Sequence, residues 1–162
     1  GKGEKDEGYL WWSWSPGLDH LGVLCGLVGF LSAAVYLIAM IMSLPSADFS
    51  EGVALVFVDL FQVIPYACFV VVGHLYIAEA AGSWWRPAAD RIGWWIAVLN
   101  TIGAYGFLLC GVFAIPGTVG GGSEALARYG SALSCFWGSV SYVVGGLLMF
   151  VEYANPEPIG LC

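Results

Sequence analysis

Charge is scarce in this sequence. Only 10% of the residues are Asp, Glu, Lys or Arg, where a water-soluble domain carries about a quarter. Five residues are basic, too few to build a patch for nucleic acid, and anionic lipid finds few contacts. Histidine occurs twice, and Cys25, Cys68, Cys110, Cys135 and Cys162 form no CxxC pair. Four of these cysteines lie inside apolar runs, where cysteine behaves as a small hydrophobe, so the spacing carries no zinc or redox motif. There is no P-loop, dinucleotide fingerprint or HExxH, and no histidine near the serines Ser131, Ser134, Ser139 and Ser141 in sequence. Neither an enzyme nor a cofactor is expected; bound lipid is.

What the chain does have is apolar surface. Of its 162 residues, 59% are hydrophobic and 15% aromatic. In water this surface would drive aggregation, so lipid is the natural solvent. A hydrocarbon core of about 30 Å needs about 20 helical residues, and four runs qualify: Leu21 to Leu44, Leu60 to Ala78, Ile92 to Ile115 and Tyr129 to Val151. They are continuously apolar, where a membrane barrel needs alternating segments of about ten residues, so strands are the weaker reading. The fold class is therefore an all-α membrane protein of four transmembrane helices. Asp59 and Glu79 bound the second run and are expected at opposite interfaces. Pro65 inside it predicts a kink and a freed carbonyl near residue 61.

Orientation follows from the basic residues. Lys2, Lys5, Arg86 and Arg91 fall on the side of both termini, against Arg128 on the other, so the positive-inside rule places the termini inward. Trp11, Trp12, Trp14, Trp84 and Trp85 crowd the same side and read as an interfacial belt. The chain opens at Gly1 without an initiator Met, which predicts a processed form or a fragment, and no signal peptide is visible.

A repeat runs through the sequence. Trp14–Gly22 reads WSPGLDHLG and Trp85–Gly93 reads WRPAADRIG, with Trp, Pro, Asp and Gly at the same spacing. The register continues with Gly26 on Ala97, Tyr36 on Phe107 and Pro45 on Pro116. At an offset two residues longer, Phe69 falls on Tyr142, Gly73 on Gly146 and Glu79 on Glu152. The fold is thus expected to be a tandem, parallel duplication of a two-helix unit. Its parts are an acidic polar head (1–10), two repeats (11–82 and 83–156) and a short tail (157–162). Pro and Asp suit a first helical turn. The small pairs Gly22/Gly26 and Gly93/Ala97, with Gly146, are expected at close helix contacts.

The stretches RIGWWIAVLNTIGAYGFLLCG and FWGSVSYVVGGLLMFVEYANP resemble a fungal family of four-helix integral membrane proteins, itself distantly similar to bacterial two-helix proteins of the YrhK-like type. Gly93-Trp94, Asn100, Gly103, Gly106-Phe107, Phe136-Trp137-Gly138-Ser139 and Glu152 carry the resemblance. It implies the fold and carries no activity.

Ionisable groups inside a membrane protein are functional candidates by default. Three readings of them compete. In the first, Glu79 and Glu152 end helices at the water boundary and pair with Arg86 or Arg91. In the second, His74, Glu79 and Glu152 form a proton or cation path lined by Asn100 and Gln62. In the third, His20 and His74 hold a metal or haem. The leading functional expectation is a non-enzymatic protein working through helix packing, as a homo-oligomer or an accessory subunit of a membrane complex. A small channel or transporter, and a pigment, lipid or haem carrier, are the alternatives. The expected partners are membrane lipid and other membrane subunits or further copies of the chain.

Overall fold

Without water in the hydrocarbon layer, each backbone N–H and C=O must find its partner inside the chain, and an apolar run does so as a helix. The computed structural model describes residues 21–44, 50–84, 86–119 and 123–155, and among these it is helical with no strand. Four helices are long and apolar enough to cross a membrane. Helix α1 is Leu21–Met42, about 33 Å long. Helix α2 runs in three consecutive segments, an α-helical turn Glu51–Ala54, a π-helical segment Leu55–Leu60 and the α-helical Phe61–Ala81. Helix α3 is Ile92–Val119 and α4 is Glu124–Ala154. The chain is a multi-pass membrane protein.

Local chemistry sets the ends. Gly82 takes a left-handed conformation (φ 63°) after α2. Its N–H donates to Glu79 O and that of Ser83 to Ala78 O, a Schellman closure that needs a residue without Cβ. Arg91 adds a cation to the same end, donating from Nη1 to Ala80 O at 3.2 Å, where the helix dipole is negative. Ser123 caps α4, its Oγ accepting from Leu126 N–H, with Glu124 in the first turn. That cap starts α4 earlier than the expected Tyr129.

The second helix also departs from expectation. It begins at Glu51, well before Leu60, so Asp59 lies inside the helix and does not mark its end. The carboxylate is 8% exposed, and its Oδ2 has no hydrogen-bond partner. Acids in apolar runs ordinarily mark a boundary because bare burial is costly; here packing, rather than water, surrounds the group. A π-helical segment, Leu55–Leu60, lies just upstream of the α-helical segment that contains Pro65. Helix α3, in turn, runs past Ile115 and through Pro116 to Val119.

Each helix packs on its neighbour in chain order, α1 on α2, α2 on α3 and α3 on α4, while α1 and α4 share no interface of comparable size. The core is made of small residues, among them Cys25, Ala39, Ala97, Thr101 and Ala104. The closest approach joins α3 and α4. A Cβ at Gly106 would fall 2.6 Å from the Cα of Gly138, so backbone meets backbone there. Large apolar side chains such as Phe30, Phe136 and Phe150 face outward, as lipid-facing residues should.

Candidate functional site: an aromatic cavity between the helices

The open layout leaves a cavity of about 510 Å³ lined by residues of all four helices. Its backbone is a ladder of rings with one rung per helix. Tyr36 of α1 lies 5.4 Å from Tyr66 of α2, Tyr66 stacks on Phe107 of α3 at 5.6 Å, and Phe107 meets Tyr142 of α4 at 5.7 Å. These separations are the usual ones for attractive aromatic pairs. Phe69 and Tyr76, about two helical turns apart along α2, add two more aromatic walls, and Asn100 adds an amide.

Glycine makes the room. Gly26 and Gly29 line the cavity, and a Cβ on either would meet nothing within 4 Å. The corresponding place between α3 and α4 is shut. There Asn100 Oδ1 would lie 2.7 Å from a Cβ at Gly145, and the ring of Tyr142 2.6 Å from one at Gly103. The glycines that pack α3 on α4 are thus Gly103, Gly106, Gly138 and Gly145, and Gly73 packs α2 against Thr101 of α3. Of the five small residues expected at close helix contacts, Ala97 is buried and Gly22 and Gly93 touch partner side chains. Gly26 and Gly146 face open space, so neither sits at a contact between helices of one chain.

Gly22 and Gly93 instead make room for carboxylates. A Cβ at Gly22 would stand 3.1 Å from Glu79 Oε1, and one at Gly93 2.9 Å from Glu152 Oε1. Each acid ends its own helix but lies on the first turn of another, where the dipole is positive. This removes the need for the arginine partners expected from the sequence. Among the described residues neither glutamate pairs with Arg86 or Arg91; Arg91 serves the α2 carbonyls, and Arg86 is exposed.

The proposed ion path is not brought together. His74 Nδ1 donates to Val70 O at 2.8 Å, and its ring packs edge-on against Tyr105 at 5.8 Å. Glu79 is five residues away, about 140° around the helix, on the α1 side. Gln62 is half-buried near the level of Gly111, whose neighbour is Val63, about 16 Å along α3 from Asn100. Asn100 alone of the five lines the cavity. Trp84 is exposed; Trp94 buries its Nε1 without a partner, and Trp95 donates to Ala89 O at 2.9 Å. Trp11, Trp12, Trp14, Trp85, Asp19 and His20 lie outside the described residues. No group of three or more His, Cys, Asp or Glu able to hold a metal occurs among the described residues.

Sequence reasoning missed the cavity and the burial of Asp59. Part of the ladder had a signal, because Tyr36 and Phe107 fall at equivalent positions in the repeat expected from the sequence. The rest depends on how far each helix is rotated about its axis. The chain matches no protein-family model, no curated protein and no solved structure.

Proposed function

We propose that this is a non-enzymatic membrane protein that holds a membrane-soluble ligand between its helices. The observation that carries this reading is the cavity. Its volume falls in the range of about 300–1,000 Å³ found for small-molecule sites, and its aromatic walls with a single amide are the usual composition of one. The helix serines support a non-enzymatic role, since Ser139 and Ser141 donate to Cys135 O and Trp137 O within their own helix. The matched contacts of Gly22 with Glu79 and Gly93 with Glu152 support the tandem duplication, and the basic residues Lys2, Lys5, Arg86 and Arg91 favour both termini on the inner side. The test is native mass spectrometry of protein extracted gently from its own membrane. A bound small molecule in the native chain, lost in Gly29→Leu, is the expected result.

Assembly with further copies or with a larger complex is the second reading. Helices α1 and α4 are the least enclosed of the four, and a Cβ added at Gly146 on α4 would meet nothing within 4 Å. Small residues on an uncovered helix favour close approach by another helix.

A further inference from the structure

We infer that the cavity takes a small neutral lipid whose head is a flat ring bearing carbonyl oxygens, of the quinone class. This rests on the ligand-binding reading of the cavity and adds what binds there.

Depth is the first argument. Asn100 stands eight residues beyond Ile92, the first residue of α3, or about 12 Å along the helix axis. That is well inside a hydrocarbon layer of about 30 Å. An amide without a partner is costly in such a place, and Asn100 makes no hydrogen bond among the described residues. A phospholipid keeps its polar groups at the interface, so its acyl chain filling the cavity would leave the amide bare. A ligand whose own polar group sits deep in the membrane would not.

The amide also selects the kind of polar group. Its side chain packs against Gly145 and lines the cavity, where its NH2 can donate a hydrogen bond. A donor calls for an acceptor, and a ring carbonyl is one that stays neutral. Neutrality matters because no Asp, Glu, Lys, Arg or His lines the cavity. Flatness follows from the lining, where Tyr36, Phe69, Tyr76 and Phe107 give the cavity aromatic walls; a conjugated ring packs well against such walls.

The experiment titrates purified protein in nanodiscs with 2-decyl-1,4-benzoquinone, following quenching of intrinsic fluorescence against empty nanodiscs with a soluble indole. Decylbenzene, the same molecule without its oxygens, serves as competitor. Gly29→Leu is the blocking variant, because its new side chain enters free space and meets nothing that the fold needs. The expected result is saturable quenching at one quinone per chain, at least tenfold weaker in Gly29→Leu, with decylbenzene at least tenfold poorer as competitor. If decylbenzene competes as well as the quinone does, or a phospholipid held through Gly29 resists displacement, the quinone assignment is overturned while the ligand site stands. If nothing binds in a way that depends on Gly29, both are overturned.

Discussion

The carboxylate of Glu79 stands where a side chain at Gly22 would begin, 3.1 Å from the position of the absent Cβ, and Glu152 stands to Gly93 in the same way at 2.9 Å. The two glycines are therefore of a different kind from Gly106, whose absent side chain would collide with the backbone of α4. A carboxylate at the end of a flexible side chain can step aside; a helix backbone cannot.

The contrast predicts the outcome of two alanine substitutions. Gly22→Ala moves Glu79 by a few tenths of an ångström and costs under about 1 kcal/mol, partly offset because Ala favours the helix over Gly. Gly106→Ala forces α3 and α4 apart and costs about 1–3 kcal/mol or more, as overpacking does. Thermal unfolding in one detergent checks both. Equal losses would mean that the α3–α4 crossing is looser than described.

Asp59 should behave as a destabilising group. A buried polar atom without a partner costs about 1–3 kcal/mol, so Asp59→Leu raises the unfolding midpoint. A lower midpoint would show that the carboxylate is held by a partner in the membrane, such as a bound cation.

Arg91 holds the end of α2 through Ala80 O. Arg91→Ala should cost about 0.3–1 kcal/mol, the ordinary size of a charge at a helix end. Its effect should show as faster amide exchange at residues 78–83, with the other helices unchanged. Loss of protection spread over the whole chain would contradict so local a role.

Gly146→Leu separates the assembly reading from the ligand reading. The new side chain begins in open space at a position that does not line the cavity, so the chain folds and still carries its ligand. If a second helix docks on α4 there, the oligomer dissociates in size-exclusion chromatography with light scattering; if the oligomer is unchanged, Gly146 faces lipid.

The four helices were legible in the sequence because length and hydropathy alone decide whether a segment can span a membrane. Their limits were less so. Asp59 looked like a boundary since burying a carboxylate is expensive, and only the packing of neighbours shows that α2 continues past it. Depth along a helix could be counted, and His74 and Asn100 both lie within helical segments. Rotation about the axis could not, because runs that are apolar on every face carry no amphipathic signal. That is why His74 reads as a partner of Glu79 in one dimension and faces Tyr105 in three. The cavity was hidden for the same reason: it exists because Gly26 and Gly29 turn toward Asn100 and Phe107, and a glycine in sequence does not say whether it admits a neighbour or leaves a gap.

Occupancy of the cavity is tested most directly by native mass spectrometry of the chain released from its own membrane, beside Gly29→Leu prepared identically. One small neutral molecule per native chain, absent from the variant, is the predicted result. Native chain and variant with the same bound masses, or with none, would contradict a ligand held between Gly29 and Asn100.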